Sequence, residues 1–242
     1  MLRIVILLKN LLLFIPVTLI FYPLSKLALF TTYFNYLLVW IHKNKKYCQY
    51  KPSFTLSRDH NRRYKLYEFV SETYKVDTEP INYLEFGVAS GQSFMWWLEK
   101  NKNNDSHFWG FDTFEGLPEK WGPFFKKGDM SNDQIELDDK RGTFLKGLFQ
   151  DTMTDFIDQQ KERLRSPVRK IIHMDADLYS STLFVLSQLY PFLKKRDIIF
   201  FDEFNVPMHE FRAFRDFTQS FYIKLEPIGM VNNFYQVAFI VK

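Results

Sequence analysis

The pattern of apolar and polar residues divides the chain into two unlike parts. Near the N-terminus, residues 10–25 and residues 27–41 form two uncharged apolar runs with only Lys26 between them. From about residue 52, short apolar runs alternate instead with amphipathic stretches. This alternation is typical of strands separated by helices. The sequence therefore predicts one globular domain over residues 51–242 and a separate hydrophobic, basic segment over residues 1–50.

The alternating part predicts an α/β fold. Apolar strands are predicted at residues 81–87, 107–112, 169–175 and 197–203, with two more near 222–226 and 235–242. Amphipathic helices are predicted at residues 62–76, 93–101, 151–164, 181–195 and 209–221. Strands joined through helices of this length pair in parallel through right-handed crossovers. We therefore expect a doubly wound, mostly parallel sheet.

The charge distribution bears on the partners of the protein. Residues 1–50 hold six basic and no acidic side chains, while the rest of the chain holds 26 basic and 28 acidic ones. The basic surplus therefore lies in the N-terminal segment, and the domain lacks the basic face that nucleic-acid binding requires. The single cysteine, Cys48, excludes an intramolecular disulfide and fits the cytoplasm.

The N-terminal segment has two interpretations that the sequence leaves open. Each apolar run is shorter than the roughly 20 residues of a spanning helix, and Pro16 and Pro23 interrupt them. With the basic residues 42–46 against anionic headgroups, residues 1–41 would anchor the chain to the inner face of a membrane as a kinked span, a re-entrant pair or an interfacial helix. Alternatively, they pack as helices on the domain or on a second copy in a homo-oligomer.

Ligands of open α/β sheets bind beyond the carboxyl ends of the strands, so the residues at those ends are the candidates for chemistry. In "YLEFGVASGQS", Glu85 closes a strand, Gly87 and Gly91 bracket a turn, and Ser93 lies early in the next helix. Glycines allow a tight turn close to a ligand, and the helix N-terminus offers free amides. Asp112 follows Gly91 by 21 residues, close to the roughly 20-residue offset at which an acid binds a ribose. The alternative interpretation is that Asp112 binds no ligand and only starts the turn through "EGLP".

Acidic residues end two neighbouring predicted strands. Asp175 and Asp177 follow one strand, and Asp202 and Glu203 follow the next. Adjacent parallel strands lie under about 5 Å apart, so these carboxylates should converge. Oxygen ligands favour a hard cation such as Mg²⁺ or Ca²⁺ over Zn²⁺. We expect Asp175 to belong to this site and Asp177 to cap the following helix instead.

Five ordered blocks, "YLEFGVASGQS", "GFDTFEGLPE", "KGLFQDT", "HMDADLYSST" and "FFDEF", resemble the macrocin O-methyltransferase family over about residues 60–242. The resemblance implies a metal-dependent class I methyltransferase that uses S-adenosylmethionine, with a seven-stranded Rossmann-like sheet. The cofactor-binding residues that it implies are Glu85, Gly87, Ala89, Gly91, Ser93, Asp112 and Thr113. The implied metal ligands are Asp175, Asp202 and Glu203. Ala89 stands where many class I enzymes have glycine, and Glu203 where several relatives have Asp or Asn.

The implied reaction is methyl transfer to a hydroxyl, which needs a base. Asp175 and His209 are the candidates, whereas His173, inside an apolar run, is expected to be a structural residue of the core. The resemblance points to a sugar hydroxyl, on a small molecule or a lipid-linked glycan. Two rival functions remain: a glycosyltransferase that uses Asp175-Ala176-Asp177 as a DxD motif, and a non-catalytic, membrane-tethered scaffold.

Overall fold

A computed structural model describes residues 1–14, 17–122 and 124–242 of the chain. The helices are α1 (Leu2–Phe14), α2 (Val17–Asn44), α3 (Arg62–Tyr74), α4 (Gln92–Lys100), α5 (Phe149–Arg165), α6 (Tyr179–Leu189) and α7 (Glu210–Ser220). The strands are β1 (Ile81–Phe86), β2 (His107–Asp112), β3 (Gly142–Lys146), β4 (Arg169–Met174), β5 (Ile198–Phe201), β6 (Leu225–Val231) and β7 (Gln236–Val241). The predicted interruption at Pro16 lies outside the described residues, and α2 continues through Pro23.

The strands form one seven-stranded sheet in the order β3-β2-β1-β4-β5-β7-β6. Strands β1 to β5 run parallel to one another, and β7 runs antiparallel to both β5 and β6. The predicted α/β, doubly wound, mostly parallel sheet is therefore confirmed. Because β1 is flanked by β2 and β4, the strand order reverses at its carboxyl end, which is where ligands bind in such sheets.

Apolar residues on both faces of the sheet explain the helical layers. All six residues of β1 are buried, and successive side chains point to opposite faces. Leu84 and Phe86 belong to a core that α5, α6 and α7 cover, whereas Tyr83 belongs to a second core beneath α3 and α4. β3 was not predicted as a strand because none of its residues is buried. A strand at the edge of the sheet shows no buried apolar run.

The last part of α2 packs on the domain. Leu37 is 2% exposed, and the Trp40 ring lies 4.8 Å from Phe204 and 5.7 Å from Phe239, centroid to centroid. The end of α2 therefore packs as a helix on the domain, which was the second interpretation of the N-terminal segment. Every side chain described in residues 1–32 is exposed, and residues 24–44 form the one described helix long and apolar enough to cross a membrane. The domain boundary at residue 50 stays a prediction.

Trp40 should hold α2 to the domain. Trp40→Ala removes the aromatic contacts with Phe204, Phe214 and Phe239, so we expect the free energy of unfolding to fall by about 3 kcal/mol. The control Val39→Ala changes the neighbouring side chain, which is 52% exposed, and should cost less than about 0.5 kcal/mol. Chemical denaturation measures both. Equal effects of the two substitutions would contradict the docking of α2.

Candidate active site

A cavity of about 290 Å³ opens at the carboxyl edge of the sheet. Its walls come from the turn after β1, the ends of β2, β4 and β5, and the starts of α3 and α5. Eight residues predicted from the sequence line it: Gly87, Ala89, Ser93, Asp112, Thr113, Asp175, Asp202 and Glu203. Three others, Glu85, Gly91 and His209, are not among the described lining residues.

The turn after β1 approaches the end of β4 very closely. Gly87 has φ +93°, and a Cβ added to it would lie 1.9 Å from the carbonyl oxygen of Asp175. Only glycine fits there, because any side chain would overlap backbone. Ala89, at φ +48°, adopts the left-handed conformation that glycine usually takes. The turn thus has a glycine-like backbone even where its middle residue is alanine.

Asp112 fixes this turn from the end of β2. Its Oδ2 accepts hydrogen bonds from the amides of Val88 and Ala89, both at 2.8 Å. Its Oδ1 accepts one from the amide of Phe114 at 2.8 Å. Charge-assisted bonds of this kind offset the strain at Ala89. Oδ2 thus accepts two hydrogen bonds and Oδ1 only one, so Oδ1 retains one acceptor site. Asp112 can therefore both order the turn and accept a hydrogen bond from a ribose hydroxyl.

Glu85 lies beneath the turn rather than in the cavity. It is fully buried and accepts hydrogen bonds from the hydroxyls of Ser93 and Tyr83, both at 2.5 Å. The bond from Ser93 connects β1 to the first turn of α4. Glu85 therefore supports the turn between β1 and α4 from the side of the core.

The ends of β4 and β5 bring two predicted acids together. Met174 pairs with Phe201 in parallel register, and the Asp202 amide donates to the Met174 carbonyl at 2.9 Å. Ligand atoms of His173, Asp175 and Asp202 all lie within 4.8 Å of one another. In the described structure Asp202 Oδ1 is buried without a hydrogen-bond partner. An unpaired carboxylate oxygen in such a group fits a bound divalent cation.

His173 is buried, as expected for a strand residue, but it also contacts the acidic group. Its ring lies 3.8 Å from Glu85 Oε2 and 4.0 Å from Asp202 Oδ1, and the hydroxyls of Tyr67 and Tyr83 contact its two nitrogens. Burial acts to lower the pKa of His173, but Asp202 and Glu85 outweigh it and raise the pKa to about 10. A cationic imidazole thus balances part of the negative charge.

Glu203 stands apart from this group of three. Its Oε1 accepts a hydrogen bond from the Tyr235 hydroxyl, and its Oε2 is buried with no partner among the described residues. Burial and the adjacent Asp177 raise the pKa of Glu203 well above its usual value. The role of Glu203 as a third metal ligand stays a prediction.

The prediction that Asp177 caps α6 is wrong. Asp177 has φ +57°, and this left-handed turn places Leu178 at the N-cap of a helix that begins at Tyr179 without a side-chain cap. Asp177 instead lines the cavity, and burial raises its pKa. The sequence pattern could not reveal this, because an acid two residues before a helix usually reads as a cap.

Arg63 is a site residue that the sequence analysis missed. Its guanidinium lies 3.6 Å from Asp202 Oδ2, and the side chain lines the cavity. Burial acts to lower the pKa of Arg63, but Asp202 outweighs it and keeps the pKa above its usual value. The only local signal was an Arg-Arg pair at the start of an amphipathic helix, which is more often a solvated face.

His209 occupies a different place from the one its predicted role requires. It is the N-cap residue of α7, its ring lies 6.4 Å from Trp121, and burial lowers its pKa. Because it is not among the described residues that line the cavity, the geometry gives no support to His209 as the base, and that role stays a prediction.

The Macrocin-O-methyltransferase (TylF) family model matches residues 40–237, which include the whole sheet up to Val237 and every residue of the cavity. The chain belongs to this family. It is therefore an S-adenosylmethionine-dependent O-methyltransferase. The match favours methyl transfer over both the glycosyltransferase and the scaffold.

Solved structures share the fold. The calicheamicin methyltransferase CalS11 is 20% identical, with a TM-score of 0.60 over 76% of this chain and 80% of that one. The O-methyltransferase NovP is 20% identical, with a TM-score of 0.54 over 75% and 78% of the two chains. No curated protein sequence matches this chain closely enough to be a relative.

Gly87 offers a test of the cofactor turn. Gly87→Ala should push the turn away from Asp175, and we expect binding of S-adenosylhomocysteine to weaken at least about tenfold because the loop must shift. Gly128→Ala is the control: Gly128 has φ +88° with nothing within 4 Å of an added Cβ, so it should cost only the backbone strain of about 1–2 kcal/mol in stability. Calorimetry and thermal unfolding measure the two effects. Equal binding by both variants would contradict the close approach.

Proposed function

We propose that the protein methylates a sugar hydroxyl and that a hard divalent cation, Mg²⁺ in the first place, takes part. The observation that carries the proposal is the convergence of Asp175 and Asp202 at the cavity, where Asp202 Oδ1 is buried and unpaired. Removing such a carboxylate from water is costly unless positive charge compensates it. A divalent cation supplies that compensation beside the cofactor turn.

The chain's own residues divide the work of binding. The turn after β1, which lines the cavity, and the remaining acceptor site on Asp112 Oδ1 would hold the cofactor, which supplies the methyl group when bound. Asp175 and Asp202 would hold the cation, with Glu203 nearby as a third oxygen ligand. When bound, the cation supplies Lewis acidity that lowers the pKa of a substrate hydroxyl. The walls of the cavity then fix the angle at which the substrate hydroxyl approaches the methyl group, and this orientation contributes to catalysis.

Asp177 is our candidate for the proton acceptor. It lines the cavity but does not belong to the group of His173, Asp175 and Asp202 that would hold the cation. Burial raises its pKa, which brings a carboxyl closer to the range that suits a general base near neutral pH. Asp175, one of the two bases predicted from the sequence with His209, would instead bind the cation.

The sugar acceptor and the membrane location are further parts of the proposal. Another structure of CalS11, 19% identical with a TM-score of 0.54, is described as a TDP-rhamnose 3'-O-methyltransferase, which supports a sugar hydroxyl here. The exposed apolar side chains of α1 and the first part of α2 support attachment to the cytoplasmic face of a membrane. A homo-oligomer and a solely small-molecule acceptor remain the alternatives that experiment must separate.

Asp202→Asn tests the cation site. Wild-type protein should bind Mg²⁺ in calorimetry and gain thermal stability from it, because the cation binds only the folded state. Asp202→Asn removes one negative charge from the group and should weaken Mg²⁺ binding at least about tenfold. The control Asp158→Asn changes an exposed acid on α5 and should leave binding unaltered. Mg²⁺ binding that survives Asp202→Asn would place the cation elsewhere.

Cation binding should also depend on pH in a defined direction. Burial, reinforced by Asp202, raises the pKa of Asp175 well above its usual value, so this carboxyl holds a proton to higher pH than an exposed one. The cation needs the deprotonated form, so Mg²⁺ affinity should fall as pH falls through the raised pKa, and binding should release protons. Calorimetry in two buffers of different ionisation enthalpy measures that release. Affinity that rises toward low pH would contradict the proposed ligands.

A further inference from the structure

The direction of α2 relative to the cavity follows from its contacts with α7. The Arg212 guanidinium lies 5.3 Å from the Tyr33 ring, and the Arg215 guanidinium lies 4.1 Å from the Tyr36 ring. Farther along both helices, Lys43 and Thr218 line the same groove. Residue numbers therefore rise together along the two helices. α2 runs parallel to α7.

The start of α7 lies at the carboxyl edge of the sheet. α7 follows β5, and the carboxylate of its first residue, Glu210, accepts a hydrogen bond from the Glu203 amide at 2.9 Å. Trp40 of α2 contacts Phe204, which follows β5 at this same edge of the sheet. Tyr33, seven residues before Trp40, then lies about 10 Å beyond the strand ends at the helical rise of 1.5 Å per residue. Residues 17–32 continue for about 24 Å more in that direction, on the side where the cavity opens.

The protruding segment has the surface of a membrane-embedded helix. Its exposed side chains include Leu24, Leu27 and Phe30, at 57%, 61% and 44% exposure, and α1 is exposed throughout. A helix with apolar residues on all sides is buried in a core or in a membrane. Basic residues Arg3, Lys9 and Lys26, with no acidic residue before Asp59, complement anionic headgroups.

The docked end of α2 limits which residues can enter the bilayer. Leu37 and Trp40 pack against the domain, so the apolar stretch 24–44 cannot lie wholly in hydrocarbon while the domain remains attached. The membrane-embedded part must precede Tyr33. The basic residues 42–46 then lie about 15 Å beyond Tyr33 in the direction away from the membrane. They are therefore not placed against the headgroups, where the sequence pattern predicted them.

From this geometry we infer that the membrane lies over the carboxyl edge of the sheet, so that the cavity faces the bilayer and the acceptor is a saccharide carried on a lipid. The inference rests on the proposed sugar methylation for its substrate and on the contacts of α2 for its orientation. A lipid-linked sugar would reach the cavity from the membrane surface. In the opposite orientation, the domain would stand between the bilayer and the cavity.

A depth measurement on vesicles tests the orientation without any reaction. Pro118→Cys places a fluorophore on an exposed residue that lines the cavity, and Asn104→Cys places one on an exposed turn before β2, at the opposite edge of the sheet. The native Cys48 is 3% exposed and should stay unlabelled. On phosphatidylcholine–phosphatidylglycerol vesicles with nitroxide headgroups, we expect severalfold stronger quenching at residue 118. Equal quenching, stronger quenching at residue 104, or no vesicle binding by the full chain would overturn the inference.

The acceptor class has its own readout. Wild-type protein, [methyl-³H]S-adenosylmethionine and a membrane fraction of the source cells should place the label in glycolipid that extracts into chloroform–methanol. Label found only in water-soluble saccharides would overturn the lipid-linked acceptor. Failure of the wild-type chain to bind S-adenosylhomocysteine would instead overturn the proposed methyl transfer, while the quenching result would still decide the orientation.

Discussion

Mutual repulsion among buried carboxylates is the constraint on which the site depends. Asp175, Asp202 and Glu203 follow two adjacent strands, and Asp177 and Glu210 lie beside them. Such a cluster needs protons or nearby cations.

The protein compensates part of this negative charge with the guanidinium of Arg63 and the imidazole of His173. Burial also raises the pKa of Asp175 and Glu203. Among the described residues, Asp202 Oδ1, Glu203 Oε2 and Glu210 Oε1 are still buried without a hydrogen-bond partner.

The cofactor turn is joined to this cluster by backbone contact. Gly87 presses against the Asp175 carbonyl, and Asp112 holds the next two amides. The position of the cofactor turn is thereby fixed relative to the acids, within a few ångströms. Precise placement of two reactants is one large contribution that a protein makes to group transfer. The reversal of strand order at β1 brings these elements to one edge.

The sequence predicted those features that depend on local pattern. Apolar runs such as Ile81–Phe86 identified the buried strands, and parallel pairing placed Asp175 beside Asp202. Other features depend on how distant elements pack. Arg63 reaches Asp202 only because the first turn of α3 lies at the ends of the strands, and Asp177 faces the cavity only because of a left-handed turn. Glu203 pairs with Tyr235 from the last turn of the chain, which no local pattern reveals.

The proposed chemistry needs one divalent ion between Asp175 and Asp202. Anomalous diffraction from a crystal grown with Mn²⁺ and S-adenosylhomocysteine tests for that ion most directly. We predict a single strong anomalous peak within bonding distance of a carboxylate oxygen of each residue, beside the sulfur of the bound cofactor product. A map with the cofactor product in place, no peak between the two carboxylates and the Arg63 guanidinium still against Asp202 would contradict the account.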